Sequence, residues 1–170
     1  MARANTYTVF VVDDDTKLLT MMKHFLEKNS EFNLDVHTFA TGEDALARID
    51  LKPDVMILDY YFDDLEPGAK NGLEIMADVR AKSPATEIIM ISGQDDMEIA
   101  LETMRNGAFD YVMKDDKAII RSHLDMDKIL QGKNREYLLH QNNKHLRITV
   151  AILIIFIIAL AAFVTIASFL

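Results

Sequence analysis

The sequence predicts an α/β domain, a five-stranded parallel sheet with helices on both faces, followed by a linker and one membrane-spanning helix. Three observations predict it. In the first 120 residues, short β-rich apolar runs alternate five times with segments that are apolar at helical spacing. Parallel strands need long crossovers, so that alternation builds a sheet with helices packed on its two faces. Residues 148–170 then form a 23-residue run without charge, in which only Thr149, Thr165 and Ser168 are polar.

Each element has its own signal. Residues 7–12 (Tyr-Thr-Val-Phe-Val-Val) read as strand 1 and stop at three aspartates. Residues 17–28 place Leu18, Met21, Met22, Phe25 and Leu26 at helical spacing, with Asp15 as the cap. Residues 32–38 alternate with period two as strand 2, and residues 42–49 form a short helix with Ala45, Leu46 and Ile49 on one face. Pro53 introduces strand 3, which ends at Asp59, and residues 71–82 form helix 3 around Leu73, Ile75, Met76 and Val79. Residues 86–91 are almost wholly apolar, as a strand covered on both faces should be. Helix 4 over residues 95–106 carries Met97, Ala100, Leu101 and Met104 at i, i+3, i+4 and i+7; Gly107 ends it before strand 5 at residues 109–113. The size and order fit a flavodoxin-like (βα)5 doubly wound sheet, strand order 2-1-3-4-5, whose site lies outside the carboxyl ends of the strands.

Charge and composition exclude several functions. The net charge of −9 divides into −12 over residues 1–120 and +3 over residues 121–147. An acidic domain lacks the clustered cations that bind phosphate backbones, so no nucleic-acid partner is expected. Zero cysteines exclude disulfides, thiolate–zinc sites and thiol catalysis. No apolar leader of the secretory kind opens the chain.

The predicted strand ends carry the chemistry. Asp13, Asp14 and Asp15 follow strand 1, Asp59 ends strand 3, Ser92-Gly93 follows strand 4 and Lys114 follows strand 5. Any one of these aspartates also fits a helix cap. Two carboxylates about 4 Å apart repel by about 4 kcal/mol at an effective dielectric of ~20, so several in one pocket call for a cation. An incomplete cage of hard oxygens suits Mg²⁺ and leaves room for phosphate oxygens. One carboxylate of such a set can act as a nucleophile toward phosphorus. The phosphate loop Gly-x-x-x-x-Gly-Lys, the Gly-x-Gly-x-x-Gly fingerprint and an Asp-x-Asp beginning at Asp59 are all absent.

Four segments together carry a family resemblance: Val-Val-Asp-Asp-Asp at 11–15, Val-Met-Ile-Leu-Asp at 55–59, Ile-Met-Ile-Ser-Gly at 89–93 and Gly-Ala-Phe-Asp-Tyr-Val-Met-Lys at 107–114. Over roughly residues 6–125 the chain resembles the CheY-like receiver domain of two-component response regulators. The resemblance implies that Asp13 and Asp14 hold Mg²⁺, with Asp59 and the backbone carbonyl of Tyr61, and that Asp59 accepts the phosphoryl group. It implies that Lys114 contacts the phosphate and that Ser92 and Tyr111 form the switch. The family usually has Pro after the lysine, where this chain has Asp115. The loop over residues 60–71 is about five residues longer than usual and adds Asp63, Asp64 and Glu66 near the mouth.

Beyond the receiver, Ile119, Ile120, Leu124, Ile129 and Leu130 are expected to cover the sheet as helix 5. Gly132 and the Gln-Asn-Asn at 141–143 weaken a continuous rod. At ~1.5 Å per residue, the 23 residues from 148 span about 34 Å, enough for a ~30 Å hydrocarbon core, so the sequence reads as a tail anchor. Six Lys and Arg in residues 121–147 favour a cytoplasmic receiver at the inner membrane by the positive-inside rule. The expected organisation is receiver 1–125, linker helix 126–147 and single-pass membrane helix 148–170. The expected function is that of a phosphorelay response regulator, not an enzyme acting on a separate substrate. Its partners would be a sensor histidine kinase or phosphotransfer protein, an output protein and the membrane. A phosphorylation-independent membrane adaptor and a metal-dependent phosphohydrolase are the alternatives.

Overall fold

A computed structural model describes residues 6–62, 70–93 and 97–167, with side chains up to Ile155. Its sheet contains β1 (Thr6–Val12), β2 (Asn33–Phe39), β3 (Val55–Asp59), β4 (Glu87–Ser92) and β5 (Asp110–Met113). All neighbours are parallel and the order is β2-β1-β3-β4-β5, as the alternating pattern predicts. The helices are α1 (Thr16–Asn29), α2 (Gly42–Ala47), α3 (Gly72–Lys82), α4 (Met97–Arg105) and α5 (Ala118–Ala167). A 3-10 turn, Ile49–Leu51, follows α2.

Strand side chains alternate between faces, and the core divides accordingly. Val9, Val11, Val55, Ile57, Ile89 and Ile91 meet Leu19, Met22 and Leu26 of α1 and Met126, Ile129 and Leu130 of α5. The intervening Phe10, Val12, Met56, Leu58, Ile88 and Met90 meet Ala45 of α2 and Ile75, Met76 and Val79 of α3. The near-continuous apolar runs of β3 and β4 are therefore buried on both sides.

The helix ends follow local chemistry. Asp15 caps α1 by accepting from the Lys17 and Leu18 N–H groups. Asn71 and Glu74 form a capping box at α3. Gly107, at φ +91°, closes α4: its N–H donates to the Met104 carbonyl and that of Ala108 to the Thr103 carbonyl. Arg80 of α3 ties the opposite end of the sheet, donating to the carbonyls of Thr86 and Gly107.

The structure departs from the sequence expectation in three places. The apolar stripe of α4 faces outward: Met97, Leu101 and Met104 are exposed, and the helix packs through Ile99 and buried Thr103. On α5, Ile120 and Leu124 are exposed as well. Ile129 and Leu130 are buried on the sheet as expected, with Ile119 partly buried beside them, and Ala118 and Met126 take the places of the two exposed residues. The first compact unit runs to Leu130. Gly132 and the Gln-Asn-Asn at 141–143 do not interrupt α5, since one glycine costs only about 1 kcal/mol relative to alanine.

Residues 131–170 form the second unit, helical as far as Ala167. Among the described residues no helix is long and apolar enough to cross a membrane. The expected span over 148–170 lies largely outside those whose side chains are described, as do Asp63, Asp64 and Glu66 of the long loop.

Candidate functional site

At the carboxyl ends of β1, β3, β4 and β5 the chain brings together the residues that the sequence singled out. Backbone hydrogen bonds continue past the strand ends and fix their places. The Asp13 N–H donates to the Phe39 carbonyl at 3.1 Å, the Tyr60 N–H to the Ile91 carbonyl at 2.9 Å, and the Lys114 N–H to the Ser92 carbonyl at 2.7 Å.

Asp13 is fully buried, Asp59 is 2% exposed and Ser92 is fully buried. The Lys114 ammonium bridges the two aspartates, 2.6 Å from Asp59 Oδ2 and 2.8 Å from Asp13 Oδ2. Asp13 Oδ1 accepts from the Asp15 N–H at 3.0 Å, and Asp59 Oδ1 from the Tyr61 N–H at 3.3 Å. Carboxylate oxygens of Asp13, Asp14 and Asp59 lie within 4.8 Å of one another. Tyr111 on β5 is partly buried against the α3 side of the core, and buried Tyr60 and Phe62 root the loop that leaves β3.

Burial, with the neighbouring Asp13 charge, pushes the Asp59 carboxyl up to about 7, although Lys114 opposes the rise. Burial likewise raises Asp13, again against Lys114. Burial disfavours the Lys114 charge, but hydrogen bonds and charges from Asp13 and Asp59 outweigh it and hold its pKa above the usual lysine range. One ammonium thus bridges two carboxyl groups, with a third, that of Asp14, beside them. A set of hard oxygens with surplus negative charge matches a divalent cation, so these residues fit Mg²⁺.

No sequence signal pairs Asp115 with Arg121. In place of a proline turn, Asp115 Oδ1 accepts from the Lys117 N–H at 2.9 Å and lies 2.5 Å from Arg121 Nη2. The partners are six residues apart across a loop and a helix start, a spacing that no helical or strand periodicity marks. Only the departure from the family's proline drew notice to Asp115.

The family model for the response regulator receiver domain matches residues 9–125. The transcriptional regulatory protein MalR of Bacillus subtilis is 32% identical over 108 residues, which cover 62% of this chain and 43% of that protein. The chemotaxis protein CheY of Listeria monocytogenes is 30% identical over 107 residues, covering 62% of this chain and 84% of that one. The chain therefore spans less than half the length of MalR but most of CheY. Among solved structures, the BeF3-activated receiver domain of DrrB from Thermotoga maritima superposes with a TM-score of 0.63 at 28% identity, covering 75% of this chain and 99% of that one. Receiver domains are phosphoacceptor modules of two-component signalling that work with histidine kinases or phosphotransfer proteins and bind Mg²⁺ at an aspartate cluster. By the family match over residues 9–125 and the aspartate–lysine cluster at its strand ends, this chain belongs to the response regulator receiver domain family.

Proposed function

We propose that the protein is a membrane-anchored phosphorelay response regulator whose Asp59 accepts a phosphoryl group from a sensor histidine kinase or phosphotransfer protein. The observation that carries this reading is the buried Asp59 carboxylate facing Asp13, Asp14 and the Lys114 ammonium. A carboxylate oxygen of Asp59 attacks phosphorus as the bond to the donor breaks, and the donor leaves with the electron pair. Asp13, Asp14, Asp59 and the Tyr61 carbonyl would hold Mg²⁺, which when bound would offset negative charge on the phosphoryl oxygens. Lys114 leaves its carboxylate partners for a phosphoryl oxygen, and the Ser92 hydroxyl donates to another. Movement of the Ser92 loop changes the space around the partly buried Tyr111 ring. A partner would read the result near the outward-facing Met97, Leu101 and Met104 of α4. The reaction spends one phosphoryl group per receiver and is not turnover of a separate substrate.

Incubating the protein with acetyl phosphate and Mg²⁺ tests this reading. One acid-stable, base-labile phosphoryl group per chain is expected. No label would favour the phosphorylation-independent adaptor, and steady multiple turnover the phosphohydrolase.

The membrane half of the reading rests on the uncharged run over residues 148–170 and the basic Lys144 and Arg147 before it. Thr149 Oγ1 bonds the His145 carbonyl at 3.0 Å, so that hydroxyl presents no unmet polar group to lipid. The full chain is expected to stay with membranes through an alkaline carbonate wash, the receiver facing the cytoplasm. Truncation after Arg147 is expected to release a receiver that still takes label. Extraction of the full chain by carbonate, or digestion of the receiver by protease outside intact spheroplasts, would refute the anchor.

A further inference from the structure

Lys114 sits in the short connection between β5 and α5, and the two residues flanking it share one partner. Arg121 Nη2 donates to the Met113 carbonyl at 3.0 Å and lies 2.5 Å from Asp115 Oδ1. The same connection is closed by three backbone hydrogen bonds. The Asp115 N–H reaches the Met113 carbonyl at 3.0 Å, the Ala118 N–H reaches the Asp115 carbonyl at 3.1 Å, and the Lys114 N–H reaches the Ser92 carbonyl at 2.7 Å. The Lys117 hydrogen bond and the Arg121 charge hold the Asp115 carboxyl below the usual carboxylate range, so it stays ionised for this contact at neutral pH.

We infer that Arg121 and Asp115 are positioning residues that clasp the backbone around Lys114 and so hold its ammonium on Asp59. The inference rests on Asp59 being the phosphoryl acceptor. A proline after Lys114 would fix one backbone angle by its ring. Asp115 has no such restraint, and the clasp supplies it from α5. The need is physical: the Lys114 ammonium hangs on a stem of four methylenes, so a shift of its backbone displaces it from the acceptor. A misplacement of about 1 Å at a reacting group can cost about 100-fold in rate. Arginine suits the task because the two N–H groups of Nη2 lie in one fixed plane and can serve the Met113 carbonyl and the Asp115 carboxylate together, whereas a lysine ammonium rotates on its flexible stem.

The test compares labelling of the full chain by acetyl phosphate, in detergent with Mg²⁺, in the unmutated and Lys114→Ala backgrounds. Arg121→Ala is expected to slow labelling about tenfold in the first and less than twofold in the second, because it acts through Lys114. Arg121→Lys is expected to recover only part of the rate. Equal slowing in both backgrounds, or no slowing, would overturn the inference. Amide hydrogen exchange without a phosphodonor gives an independent reading. Exchange at Lys114 and Asp115 is expected to rise tenfold or more in Arg121→Ala, while amides of β1 and β3 keep their protection. Unchanged exchange at those two amides would overturn the clasp even if labelling fell. An unmutated protein that takes no label would instead overturn the phosphoacceptor reading, and the exchange data would still decide the clasp.

Discussion

Asp59→Asn is expected to take no phosphoryl label and yet, in metal-free buffer at pH 8, to melt roughly 5–10 °C above the unmutated protein. The loss of label follows from removing the carboxylate proposed to attack phosphorus. The gain in stability follows from what burial does to Asp59. Its carboxyl titrates near the ordinary 3.8 in an unfolded chain and at about 7 in the folded one. Between those values the folded state keeps a proton that the unfolded state has released. Stability contributed by this group is therefore greatest below about pH 4, falls as pH rises, and levels off above about 7. The full shift corresponds to about 4 kcal/mol at about 1.4 kcal/mol per unit, and relaxation around the charged group leaves about 2–4. Asparagine keeps the shape without the charge, and Lys114 retains Asp13 as its partner. Urea unfolding in EDTA from pH 4.5 to 8 checks the sign. The gap between mutant and wild type should open with rising pH, and a gap that closes would contradict the argument.

Gly72→Ala is expected to cost about 1–3 kcal/mol or more of stability and to slow phosphorylation at Asp59. A Cβ on Gly72 would lie 2.4 Å from the Asp59 carbonyl oxygen and 2.7 Å from the Tyr60 Cα, both backbone atoms that cannot rotate aside. The Gly72 N–H also donates to the Tyr60 carbonyl at 2.9 Å, so the start of α3 is held against the segment that carries Asp59. A methyl group there must push α3 outward or bend the chain at Asp59. Gly93→Ala is the control beside the same site, because its Cβ would meet nothing within 4 Å. Denaturant midpoints and labelling rates for the pair check the prediction. Equal behaviour of the two variants would dispose of the close-approach argument.

The sheet was legible because strands buried on both faces leave near-continuous apolar runs, and those runs stop at polar groups. The site was legible for the same reason: Asp13, Asp59, Ser92 and Lys114 each lie at or within two residues of a strand's carboxyl end, where parallel topology gathers them. Less legible was the choice of buried face on α4, where Met97, Leu101 and Met104 make a helical stripe as regular as any core face. Periodicity reports that a stripe exists but not whether the sheet or a partner covers it. On α5 the sequence marks Ile129 and Leu130 as cover for the sheet, but the equally apolar Ile120 and Leu124 face outward, a distinction that apolar spacing alone does not make. The Asp115–Arg121 contact depends on where α5 begins, which is a property of the loop and not of spacing.

The hydrogen bonds that run past the strand ends have an evolutionary consequence. The bonds from Tyr60 to Ile91 and from Lys114 to Ser92 run between main-chain atoms. Such links survive nearly any exchange of side chains, provided the strands still pair. A lineage is therefore free to rewrite its outer helix faces, and with them its choice of associates, while the reacting groups keep their mutual distances. Diversification of associates and preservation of the site's geometry are thereby decoupled, the first written in side chains and the second in peptide groups.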